Sequence, residues 1–109
     1  MGKNIKREYI PLSKENHFLR VELYYSLGGY NYFTYETDPR GYWVSVSPVE
    51  RADGWESFTL FSGVKAIALE CQRQSKKRET EALSLYEGVK QKLIEYVLAE
   101  KGLELGDVA

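Results

Sequence analysis

The chain has 109 residues and 12.6 kDa, with 43% hydrophobic and 28% charged residues, the size and composition of one globular domain. No apolar run approaches the roughly 20 residues of a membrane span and MGKNIKREYIPLSKEN lacks a signal-peptide core, so a cytoplasmic protein without a membrane partner is expected. A net charge of −1 and a pI near 5.9 exclude bulk attraction to nucleic acid or anionic lipid, so such binding would have to be local.

Residues 1–16 carry no periodic signal and are expected to be irregular. Their Met-Gly start is not a myristoylation site, because Lys6 stands where Ser or Thr is required. From His17 to Leu27 the chain alternates, Leu19, Val21, Leu23, Tyr25 and Leu27 one way and Phe18, Arg20, Glu22, Tyr24 and Ser26 the other, which is the period of a strand. Gly28-Gly29 marks a hairpin into a second strand, Tyr30 to Thr37, and Asp38-Pro39-Arg40-Gly41 has the residue chemistry of a type I turn. A third strand, Tyr42 to Val49, then returns antiparallel. A polar loop, Glu50 to Gly54, leads to a fourth, Trp55 to Phe61.

After Ser62-Gly63 the period changes: Val64, Ile67, Ala68 and Cys71 share one helical face, with Ser62 as N-cap. Ala82, Leu85, Tyr86, Val89, Leu93 and Val97 continue at helical spacing until Gly102 caps the end. One long helix or two with a break near Ser75 both fit, and two are preferred. Residues 103–109 are expected to fray. The expected fold is thus α+β, one domain over 1–109: an antiparallel four-stranded meander over 17–61, then a helical part over 62–102.

Turn lengths set a register in which Tyr25 faces Phe33, Leu23 faces Tyr35, Phe33 faces Val46, Tyr35 faces Val44, Val46 faces Phe58 and Val44 faces Leu60. One face is then an apolar core under a helix. The other carries Tyr24, Tyr32, Trp43, Trp55 and Phe61 with Arg20 at one edge, more large aromatics than a monomer usually exposes. A helix or the N-terminal segment could cover that face as a second core layer, a protein partner could do so, or single-stranded nucleic acid could stack on it. Excess apolar residues on the C-terminal helix favour another copy of the chain, joined partly through Val89, Leu93, Tyr96 and Val97.

Two charged features remain. Arg73, Lys76, Lys77 and Arg78 form a basic cluster, read first as a solvated helix surface with Glu79 and Glu81 nearby and second as a phosphate site. Glu22 and Glu36 stand opposite each other in this register, where two carboxylates could hold a divalent cation; the other ligands such an ion needs are missing, so no metal or cofactor is assigned. Phosphate-loop, GxSxG and HExxH signatures are absent. His17 is the only histidine and the lone Cys71 is read as a small buried hydrophobe, which leaves catalysis without a constellation.

The order of four antiparallel strands and a helix, over roughly Phe18 to Lys101, is similar to the Pur and Whirly single-stranded DNA-binding proteins and the related transcriptional co-activators. That resemblance implies a curved sheet facing the strand and helices forming a dimer; it has no diagnostic motif, carries over no individual residue, and is opposed by the lack of a basic sheet face. GYWVSVSPVER followed by ESFTLFSG resembles small uncharacterised proteins of bacterial conjugative elements and phages, which names no activity. The expected function is a non-enzymatic, homodimeric interaction module with an unknown protein partner. Single-stranded nucleic-acid binding is the alternative, and a metal-dependent enzyme using Glu22 and Glu36 a distant third.

Overall fold

The computed structural model describes residues 3–32, 34–58 and 63–106. In it strands β1 (Lys3–Pro11), β2 (His17–Ser26), β3 (Gly29–Asn31), β4 (Glu36–Asp38), β5 (Gly41–Ala52), β6 (Trp55–Phe58) and β7 (Val64–Glu70) precede one helix, α1 (Lys76–Lys101). The α+β class and the antiparallel sheet stand as expected, with more strands than four.

The spine of the sheet is β5. One of its edges pairs with β2 along Gly41 to Glu50; the other is shared end to end by β7, opposite Gly41 to Val46, and β6, opposite Val49 to Ala52. The remaining edge of β2 is taken by β1, so every pairing in the sheet is antiparallel.

The alternation read in the second strand sets the core. Leu19, Val21, Leu23 and Tyr25 stand opposite Pro48, Val46, Val44 and Tyr42, and all eight are buried. Tyr25 and Tyr42 meet edge to face with ring centroids 5.1 Å apart. Over them α1 lays Ala82, Tyr86, Ile94 and Val97. Each fully buried aliphatic side chain is worth roughly 1.5–3 kcal/mol, so this one face supplies most of the folding drive.

Five expectations change. First, residues 3–11 are not irregular but form β1. A bulge between Asn4 and Lys6 breaks the period, and charged Lys6 and Glu8 occupy positions paired with Leu23 and Val21. Glu8 is tolerated there because Tyr86 donates its hydroxyl to the carboxylate and Lys90 stands 3.1 Å away.

Second, Tyr30 to Thr37 is not a sheet strand. Leu23 faces Val44 directly and Val21 faces Val46, while β3 and β4 form a separate two-stranded ribbon. Asn31 breaks the run: its side-chain oxygen accepts from the Thr34 amide at 3.3 Å, its carbonyl accepts from the Tyr35 amide at 2.8 Å, and Tyr35 turns to φ 61°. Phe33 lies outside the described residues.

Third, Trp55 follows a two-residue Asp53-Gly54 turn with positive φ at both positions, so Phe58 pairs with Val49 and not with Val46. Leu60, Phe61 and Ser62 lie outside the described residues.

Fourth, Val64 to Glu70 is a strand and not a helix. Ala68 is an extra residue between Ile67, paired with Trp43, and Leu69, paired with Tyr42; this bulge destroys the strict alternation and leaves a spacing that reads as helical. The single helix begins instead at Ser75, whose hydroxyl accepts from the Arg78 amide at 3.1 Å, and ends at Gly102 with φ 63° as expected.

Fifth, the chain beyond the helix is tied down as far as Gly106. Leu105 bridges to Leu12, Ser13 donates to the Glu104 carbonyl and Gly106 to that of Pro11.

Candidate functional site

The face of the sheet away from α1 holds part of the expected aromatic set. Tyr24 pairs with Trp43 across β2 and β5. The Trp43 ring is 7% exposed, its indole N–H donates to the Pro39 carbonyl at 3.1 Å, and the Lys65 ammonium lies 4.9 Å from its centroid. Burial raises the Tyr24 hydroxyl above its ordinary value, helped by Asp38 and Glu22. The Trp43 ring is packing beneath the Pro39 connection, and the Tyr24 ring is half-buried opposite it, so neither is an open platform. Trp55 sits apart at the β5–β6 turn, half exposed on the rim of a cleft of about 400 Å³ lined also by Asn16, Phe18 and Arg51. Phe61 falls outside the described residues.

Arg20 belongs to a ladder of alternating charge across this face. Arg7 reaches Glu22 at 3.0 Å, Arg20 holds both Glu22 and Glu56, and Arg51 approaches Glu56 at 3.4 Å. Tyr9 donates to Glu56 at 2.7 Å under the Arg51 guanidinium. Burial pushes the Glu56 carboxyl up, but Tyr9, Arg20 and Arg51 outweigh it and hold it below the ordinary range. Glu22 therefore serves an ion-pair ladder, paired with Arg7 on one side and Ser45 on the other. Glu36 lies on the ribbon opposite Asn31. The Glu22–Glu36 opposition does not form, because the strand expected to carry Glu36 is not in the sheet. Among the described residues no three His, Cys, Asp or Glu side chains converge as a metal site. His17 meets the Glu15 carbonyl at 2.9 Å, and half-buried Cys71 packs on the edge of the core.

The ribbon carries what sequence reasoning placed elsewhere. Tyr30, Tyr32 and Tyr35 are 51%, 79% and 78% exposed, with the Tyr30 and Tyr32 rings edge to face at 4.9 Å. Tyr35, assigned to the core from the register, is thus a surface ring. The ribbon leaves β2 through Gly28 at φ 76°, where an added Cβ would lie 2.6 Å from the Asp38 carbonyl oxygen, so only glycine lets the two ends close. Asp38 fixes the other end by an ion pair of 2.7 Å to Lys65, whose hydrogen bond holds the carboxyl below its ordinary value.

At the ribbon base stands the basic turn. Arg40 donates to the Leu27 carbonyl at 3.2 Å and to the Gln72 carbonyl at 3.4 Å, and its own carbonyl accepts from the Cys71 amide at 3.1 Å. These bonds join the ribbon to the segment between β7 and α1, which bears Arg73 and leads into Lys76 and Lys77 at the start of α1, all three exposed. Arg78 is taken by Glu81 at 3.1 Å. The signal for this pairing was present in the sequence as the two glycine-containing turns bracketing a tyrosine run; that the bracketed piece leaves the sheet was not.

Of the residues expected to join two copies, Val97 is 1% exposed in the chain's own core, Val89 and Leu93 are half-buried beside it, and Tyr96 is exposed. Compared with known proteins, the chain matches no family model, no curated protein and no solved structure. No helix of the described residues is long and apolar enough to cross a membrane.

Proposed function

We propose that this chain is a non-enzymatic interaction module, working as a homodimer, that takes single-stranded nucleic acid on the tyrosine ribbon and the basic turn at its base. The observation that carries the reading is the juxtaposition of Tyr30, Tyr32 and Tyr35, all open to solvent, with exposed Arg40, Arg73, Lys76 and Lys77. Flat rings accept bases of any identity and cations follow the phosphates, so the two features together match a single strand better than a duplex. Exposed Glu36 opposes phosphate at the outer end of the ribbon and directs the backbone towards its base.

The test is a labelled pyrimidine single strand titrated at rising salt. Binding should weaken steeply with salt, and replacing Tyr32 and Tyr35 together by Ala should lower affinity by about 1–3 kcal/mol for each stacked base lost. Replacing Lys76 and Lys77 by Gln should flatten the salt slope. Absence of binding at low salt refutes the nucleic-acid reading and leaves the ribbon to a protein partner.

A further inference from the structure

The cleft of about 400 Å³ beside Trp55 lies at the far end of β5 from the ribbon. The strand puts about 35 Å between the two. The cleft forms where two turns meet. The turn before β2 ends in Asn16, at φ 63°, whose carbonyl accepts from the Arg51 amide at 2.8 Å; the Asp53-Gly54 turn after β5 closes the other side. Phe18 is half-buried in the wall and meets Tyr9 edge to face at 6.3 Å, while Trp55 stands half exposed on the rim.

The polar groups of the lining divide into two sets. Glu56 is committed, since Tyr9, Arg20 and Arg51 all reach its carboxylate. The rest are not. The Arg51 guanidinium is held in place, 4.0 Å from the Tyr9 centroid with its Nε 3.4 Å from Glu56, yet its Nη donors make no hydrogen bond among the described residues. Stacking thus fixes the fork while leaving its outer donors open. The Asn16 side-chain amide, the Asp53 carboxylate and the Trp55 indole N–H are likewise without a partner among the described residues.

This set selects a class of ligand. The charges of Arg51 and Asp53 cancel, so an anion or a cation meets repulsion as well as attraction, and a neutral molecule meets neither. The open donors and acceptors come from three sides, Asn16 from one turn, Asp53 from the other and Arg51 from β5, around apolar rings. A nucleobase bonds through its edges and stacks through both faces. A saccharide ring instead carries hydroxyls around its whole rim, each a donor and an acceptor, and has a C–H face that packs on an indole. The volume is in the range of small-molecule sites, about 300–1,000 Å³.

We propose that this cleft binds a neutral mono- or disaccharide, with one sugar face against Trp55 and hydroxyls bonded to Arg51, Asn16 and Asp53. The site is separate from the ribbon and stands whether or not nucleic acid binds there.

Nuclear magnetic resonance of the ¹⁵N-labelled full chain tests it, because the two tryptophans give two indole N–H signals, told apart with Trp55→Phe. Trp43, buried and bonded to the Pro39 carbonyl, is the internal reference. Maltose, cellobiose, lactose and chitobiose are titrated separately to about 50 mM, which covers the millimolar affinities of small open sites. At least one should move the Trp55 signal saturably and leave Trp43 in place, and raising salt to about 0.5 M should not weaken it, since no net charge is matched. Trp55→Ala, read from the Phe18 and Ala52 amides, should weaken binding at least tenfold. Asn16→Gly, which keeps the left-handed backbone and removes the amide, should weaken it several-fold, with circular dichroism confirming that both variants fold. A Trp55 signal that no sugar moves, or indole signals that shift equally, overturns the proposal. So does a Trp55 signal that moves with adenosine or cytidine and with none of the sugars, which would make the cleft a base platform.

Discussion

Replacing Tyr86 by Phe isolates the contact that holds β1, the strand hidden from sequence reasoning, to the helix. The ring is 1% exposed and stays in place, under the Lys6 and Lys90 ammonium groups at 5.1 and 5.2 Å from its centroid. Only the hydroxyl that donates to Glu8 is lost. A hydrogen bond to a charged group contributes about 1.5–3 kcal/mol. The Glu8 side chain is 31% open to water and keeps Lys90, so the lower end, about 1.5 kcal/mol, is expected. Urea unfolding followed by circular dichroism should show the midpoint lower with an unchanged slope, and thermal unfolding a melting point lower by about 4–8 °C per kcal/mol. The pH dependence gives the sharper check. The Tyr86 hydroxyl is the main reason that the Glu8 carboxyl titrates below its ordinary value, with Lys90 assisting against burial. A carboxyl so depressed contributes stability above its unfolded pKa of about 4.3 and loses it as pH falls through the folded value. The gap between wild type and Tyr86→Phe should therefore narrow in acid. A loss under about 0.5 kcal/mol, or a gap that is the same at neutral and strongly acidic pH, refutes the account.

Trp43→Ala should cost about 3–5 kcal/mol in chemical denaturation because its ring is buried, whereas Trp55→Ala, on a half-exposed rim, should cost far less. Gly41→Val should fail to fold to a soluble protein at all, since a Cβ there would lie 2.3 Å from the Leu69 carbonyl oxygen and force β7 off β5. Lowering pH through the carboxyl range should destabilise the wild type as Glu8, Asp38 and Glu56 are protonated: all three are held below their ordinary values, so the stability they contribute is full at neutral pH and is lost on acidification. A denaturation midpoint unchanged between pH 7 and pH 3, roughly the span over which carboxyls titrate, would count against these ion pairs.

What the sequence determined by itself is local. Leu19, Val21, Leu23 and Tyr25 alternate without interruption, and any pairing that buries one buries all four. Gly102 has the only residue type that caps a helix end in the left-handed region without strain, and the apolar row from Ala82 to Val97 has no other period to follow. Tertiary structure decided the rest wherever local patterns are degenerate. A bulge at Ala68 makes a strand look helical, and a bulge beside Ile5 makes β1 look irregular, because one inserted residue shifts the alternation that identifies a strand. Glu8 can sit on the core side of β1 only because Tyr86 and Lys90, far along the chain, arrive to satisfy it. Gly28-Gly29 and Asp38 to Gly41 mark turns equally well for a strand inside the sheet and for a ribbon outside it; the choice fell to β2 and β5, which pair directly and bring their apolar residues onto one face beneath α1. The candidate site follows from that choice, since the pairing of β2 with β5 leaves Tyr30, Tyr32 and Tyr35 outside the sheet and the Arg40 bonds bring the basic turn to their base.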